Sequence, residues 1–159
     1  AFREAFLDAI STKLNGQKPV ETLNVDAEVT LKQISSLDLI YRLEKMAPFG
    51  AANPRPVLVA SNVSLAEPAR TMGSSNRHLD VKLLQNGTRM RGVAFGQAEW
   101  IEPMNSHQGQ FDIAFRPQLN EFNGMKRVEL QLIDWRVAKL SPDAPHVVPN
   151  RTSSLSQPQ

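Results

Sequence analysis

The chain has 159 residues, 41% hydrophobic and 21% charged, the balance of an ordinary globular domain and enough to enclose one core. It has no cysteine, which excludes disulfides, zinc–thiolate centres and cysteine nucleophiles, and no apolar run nears the ~20 residues of a membrane-spanning helix. A net charge of +2 and a pI near 9.2 lean towards an anionic partner, and the positive excess lies after residue 50.

In chain order, Phe2, Phe6, Ile10 and Leu14 recur every four residues and predict an amphipathic helix over 2–14, stopped by Asn15-Gly16. Leu23, Val25, Ala27, Val29 and Leu31 alternate, so 19–31 reads as a strand. Ser35 or Ser36 caps a helix whose apolar positions are Leu37, Leu39, Ile40, Leu43 and Met46. Pro48 and Gly50 end it, and Pro54 and Pro56 stiffen a connector over 48–56. A domain boundary is expected there, between a segment 1–47 and a domain 57–137.

The second part reads as mostly β. Val57–Leu65 is a strand, followed by a Gly/Ser/Asn-rich loop at 70–77. Leu79, Val81 and Leu83 alternate with Asp80 and Lys82. Asn86-Gly87 makes a tight hairpin to a third strand, Arg89–Phe95, with a bulge expected at Gly92. Gln97–Ile101 is a short helix ended by Pro103. Phe111, Ile113 and Phe115 mark the fourth strand, Asn123-Gly124 a second hairpin, and Val128, Leu130 and Leu132 the fifth. Three strands, a helix and two strands is the order of an OB-fold. The expected class is α+β overall and mainly β: a five-stranded OB-fold barrel preceded by a small α/β segment. Residues 138–159, rich in Pro and Ser, are expected to be a disordered tail. The chain opens on Ala1 without a signal-peptide pattern, and is expected to be an internal or C-terminal piece of a longer protein.

Catalysis finds little support. His78, His107 and His146 lie far apart, in no metal-ligand spacing, and read as solvated or simply hydrogen-bonded. There is no phosphate-binding glycine loop, no nucleophile elbow and no carboxylate cluster. No catalytic residue, metal or cofactor is therefore assigned to this chain.

Binding is better supported. OB-folds grip single strands across their second and third strands, between the loop joining strands one and two and the loop joining strands four and five. The first loop is expected at Glu67–Asn76, with Arg70 inside it. Arg77, His78 and Lys82 lie on or beside the second strand. Arg89 and Arg91, two apart on the third, share a face. The second loop, Asn120–Arg127, holds Phe122, Asn123, Lys126 and Arg127. Cations for phosphates and an aromatic ring for stacking are what a strand-binding groove needs. The plainer alternative is that Glu67, Glu121 and Glu129 pair with these cations, and that the barrel is a structural or protein-interaction module.

Leu43 through Pro56 (Leu-Glu-Lys-Met-Ala-Pro-Phe-Gly-Ala-Ala-Asn-Pro-Arg-Pro) resembles the LE-x-x-x-PFG-x-x-NP-x-P segment of RecJ, the bacterial single-stranded-DNA-specific exonuclease family. Leu23–Glu28 is similar to that family's IDAE strand. His78–Leu83, Val93–Gly96, Asp112–Phe115 and Asn120–Gly124 are similar to its OB domain. The resemblance runs over roughly residues 2–136. It departs at Ala51, where family members often have Gly.

The resemblance implies that residues 1–47 end a DHHA1-type domain and that 57–137 bind single-stranded DNA for a 5′-to-3′ exonuclease of recombination and repair. It implies manganese or magnesium in upstream DHH and DHHA1 domains, whose motifs are not in this sequence. It also implies a bacterial cytoplasmic setting, and single-strand-binding protein as a further partner.

Overall fold

The computed structural model describes residues 22–138. Six strands form one sheet: β1 (Ala27–Glu28), β2 (Leu58–Met72), β3 (His78–Gln85), β4 (Thr88–Ala94), β5 (Phe111–Phe122) and β6 (Met125–Val137). Their order is β1-β2-β3-β4-β6-β5, and β5 returns to pair with β2, so the last five close into a barrel. Within that barrel the β4–β6 contact is parallel and the others are antiparallel. This is the OB-fold that the element order leads one to expect.

Two tight turns set the register. Asn86 and Gly87 have φ of 48° and 80°, and Asn123 and Gly124 have 51° and 75°. Asn and Gly tolerate this left-handed backbone, which matches the twist of the flanking strands. The first turn places Lys82 opposite Arg91. The second places Glu121 opposite Lys126 and Asn120 opposite Arg127.

β2 is longer than its apolar run suggests. It pairs with β5 through Leu58–Val63 and with β3 through Ser64–Met72. Register shifts between Ala60 and Val63, between Leu65 and Glu67, and between Glu67 and Arg70 bend it from one neighbour to the other. Pro68, which has no N–H for a ladder, falls within the last irregularity. The strand therefore runs past the expected loop start, and Arg70 is a strand residue opposite Asp80, not a loop residue. Asn120, Lys126 and Arg127 likewise sit on strands, because the second expected loop is a two-residue turn.

No bulge occurs at Gly92, which pairs in unbroken register with Val81. Its role is close packing: a Cβ there would meet Val81 Cγ2 at 2.9 Å and Leu83 Cδ1 at 3.2 Å. Pro103 does not end the short helix either. A 3-10 turn at Ala98–Trp100 leads into α3 (Ile101–Ser106), with Pro103 in the first turn, where a missing N–H costs nothing. Asn105 of α3 ties to β2, accepting from Ala69 N at 2.7 Å and donating to Ala69 O at 3.1 Å.

The expected strand over 19–31 is mostly absent among the described residues. Only Ala27–Glu28 pair, in parallel with Leu58–Val59, while Leu23 and Val25 are exposed. Asp26 accepts from Val57 N at 2.8 Å, which fixes this crossing. Leu31 starts a helix, α1 (Leu31–Ile34), closed by a capping box between Thr30 and Gln33. Then comes α2 (Leu37–Glu44), with Ser36 at its N-cap. The helix expected at 2–14 and the expected tail lie outside the described residues, except Ala138.

Leu31, Ile34 and Ile40 are buried in the same cluster as Leu79, Leu83, Phe111, Phe115 and Leu130 of the barrel. Gln85 stitches the two parts together, accepting from Leu31 N and donating to Ser61 O, each at 2.7 Å. Each such burial stabilises by about 1.5–3 kcal/mol, so the helices and the barrel share one core. The proline-rich connector is itself folded back: Asn53 Nδ2 donates to Met46 O and Pro48 O, and Arg55 lies over the Phe49 ring while pairing with Glu44 at 2.7 Å.

Candidate nucleic-acid interface

A groove of about 1040 Å³ runs across the outside of the barrel. Its floor is β3 and β4, with Lys82, Arg89, Met90 and Arg91. One side is the β5–β6 hairpin, with Asn120, Asn123, Met125, Lys126, Arg127 and Glu129. The other comes from Ala66 and Glu67 of β2 and from Ser35 and Leu37 at the α1–α2 junction. Alternation explains the floor. Leu79, Val81 and Leu83 point into the barrel, so Asp80 and Lys82 point out, and Arg89 and Arg91 share that outer face.

Of the sequence candidates, Lys82, Arg89, Arg91, Asn123, Lys126 and Arg127 line this groove. Arg70, Arg77 and His78 do not. Arg77 donates to Ser75 Oγ at 2.8 Å within the 73–77 loop. His78 accepts from Gly96 N at 3.0 Å through Nδ1 and packs edge-on against Phe95, a structural role. The side chain of Phe122 lies outside the described part of the structure.

The lining cations are not equivalent. Arg91 donates through Nε to Asp80 at 2.8 Å and through a terminal nitrogen to Glu129 at 2.6 Å. Lys82 Nζ lies 3.6 Å from Asp80, and Asn120 Nδ2 donates to Glu129 at 3.0 Å. Burial alone would pull the Arg91 pKa down, but the hydrogen bond to Asp80 and the charges of Glu129 and Asp80 outweigh it and hold it above the ordinary value. Arg91 is thus committed to the protein. Arg89, Lys126 and Arg127 are exposed and make no ion pair among the described residues. They are the groups placed to meet phosphates.

Sequence reasoning missed two features of this site. One is Asp80 as a partner of Arg91, which follows from the register that Asn86-Gly87 imposes; the pairing of Glu129 with a groove cation was the plainer alternative, and the structure gives it to Arg91. The other is the α1–α2 wall, contributed by a segment far away in sequence. Among the described residues no three His, Cys, Asp or Glu side chains gather where they would hold a metal ion.

A family model described as the RecJ OB domain matches residues 25–134. The single-stranded-DNA-specific exonuclease RecJ of Bacillus subtilis (strain 168) is 23% identical over 112 residues, which cover 70% of this chain and 13% of that protein. Among solved structures, RecJ from Thermus thermophilus in complex with Mn2+ superposes with a TM-score of 0.60 at 23% identity, over 89% of this chain and 19% of that one. The same protein in complex with Mg2+ gives 0.59 at 22%, over 89% and 20%. These structures share the fold, and the chain spans only a small part of the relatives' length. With the family model covering more than half of its residues, the chain belongs to the RecJ OB domain family.

Proposed function

We propose that this chain is the strand-gripping module of a RecJ-like 5′-to-3′ exonuclease, binding single-stranded DNA and presenting it to DHH and DHHA1 domains of the same parent protein. The observation that carries this reading is the groove bordered at once by Arg89 of β4 and by Lys126 and Arg127 of the β5–β6 hairpin. Three exposed cations around one channel suit a phosphate backbone, and OB-folds use this side of the barrel for single strands. Manganese or magnesium belongs to the upstream domains in this reading. The reading extends to a role in recombination and repair in the bacterial cytoplasm, with single-strand-binding protein as a further partner.

A second reading has its own observation. Leu23 and Val25 are 41% and 45% exposed, and they line a small hollow with Trp135. That surface suits protein contact. Titrating the chain into a fluorescent single-stranded oligonucleotide at several salt concentrations separates the two. Strand gripping gives binding that weakens linearly in log salt. Absence of salt-dependent binding would leave only the interaction role.

A further inference from the structure

Resting on the strand-gripping reading, we infer that Tyr41, with Leu37 one turn before it on α2, is a base-stacking platform at the mouth of the groove. Leu37 lines the groove. Tyr41 stands four residues on, so both side chains share one face of the helix. These apolar groups are open, at 37% and 43% exposure, and Met125 across the groove is 55% exposed. Lys126, one of the cations with no ion pair among the described residues, places Nζ over the Tyr41 ring at 5.9 Å from its centroid.

A ring beside a cation is the local chemistry a nucleotide asks for. Its base offers a π-face and its phosphate a negative charge within reach of the same residue. An apolar partner without charge would gain nothing from Lys126, Arg127 and Arg89 around it. An acidic peptide would use the cations but leave the ring idle. Bases with phosphates use both. The barrel floor does not offer this, since its Arg91 is engaged by Asp80 beside it and by Glu129 from the hairpin. The helix preceding the barrel thus supplies a contact that the barrel lacks.

The test uses the full chain with three variants, Tyr41→Ala, Tyr41→Leu and Tyr41→Phe, and two labelled probes: a single-stranded oligonucleotide and the same strand with abasic sites. Tyr41→Ala is expected to bind the ordinary strand roughly 5- to 100-fold more weakly, with the salt slope unchanged. Tyr41→Leu, which keeps apolar bulk without a ring, should lose affinity similarly, and Tyr41→Phe should bind like wild type. On the abasic strand all four proteins should bind alike. If wild type binds with a clear salt slope but Tyr41→Ala and Tyr41→Leu stay within twofold of it, the platform is overturned and strand gripping stands. Equal losses on ordinary and abasic strands, or a reduced slope, would show that Tyr41 only positions Lys126, and would also overturn it. If wild type binds neither probe, strand gripping itself fails and the platform with it.

Discussion

Arg91 and Glu129 meet across the parallel β4–β6 contact with 2.6 Å between guanidinium nitrogen and carboxylate oxygen. Arg89, two residues away on the same face, has no such partner among the described residues. Two arginines that look alike in sequence therefore have different work. Arg89→Ala should lower the slope of log affinity against log salt by roughly 0.7 and leave stability within about 0.5 kcal/mol. Arg91→Ala should instead leave Asp80 with only the more distant Lys82 and Glu129 with only Asn120, and cost about 1–2 kcal/mol, discounted for the arginine's partial exposure. Urea unfolding of the two variants measures the contrast. An unchanged midpoint for Arg91→Ala would show that the network does not stabilise the groove.

The same pair predicts how that cost varies with pH. The Arg91 pKa is held above its ordinary value by the Asp80 and Glu129 carboxylates, so at neutral and mildly alkaline pH its contribution is complete, and on the alkaline side it is lost only near the titration of arginine itself. The stability difference between wild type and Arg91→Ala should be flat between about pH 7 and 9. A difference that shrank steadily across that window would assign the effect to another group.

Gly92→Ala tests the inside of the same strand. The added methyl would sit 2.9 Å from Val81 Cγ2 and 3.3 Å from Leu132 Cγ, and both neighbours are held in the packed core. Overpacking of this kind costs about 1–3 kcal/mol. Thermal or urea unfolding reads it directly, and a variant as stable as wild type would mean that the barrel yields more easily than its packing suggests.

The shared core gives a fourth expectation. Removing residues 1–50 takes Leu31, Ile34 and Ile40 out of a cluster that also holds barrel residues. Ile34→Ala alone should cost about 2–5 kcal/mol, and the truncated chain should unfold with reduced cooperativity. A sharp, wild-type-like urea transition of residues 51–159 would show instead that the barrel is self-contained.

What could be read from the sequence depended on how local its cause is. The Asn-Gly turns and the alternation of Leu79, Val81 and Leu83 depend on neighbours along the chain, and these elements were legible; Ser36 does stand at the N-cap of α2, but its side chain makes no capping hydrogen bond. The apparent alternation of Leu23 to Leu31 was misleading because alternation does not reveal which face finds a partner. Leu23 and Val25 find none among the described residues, and the Thr30–Gln33 capping box, visible in the sequence, marks the helix that starts at Leu31. β2 outran its apolar stretch because its bends at Asn62 and Pro68 serve two different neighbouring strands. In the groove, the cations were legible by residue type. Which of them are already committed was not, because Glu129 reaches Arg91 only after the barrel closes, and Tyr41 reaches Lys126 only once α2 packs beside the hairpin.

In the strand-gripping reading Arg89, Lys126 and Arg127 form one phosphate track, and a salt series on the triple alanine variant reads it out. All three are exposed, so the fold should survive. Each lost phosphate contact removes roughly 0.7 from the slope for single strands, so the triple variant should lose about 2, with affinity falling alike for every base sequence. A triple variant that stays folded and keeps the wild-type slope would contradict the account and move the DNA elsewhere on the protein.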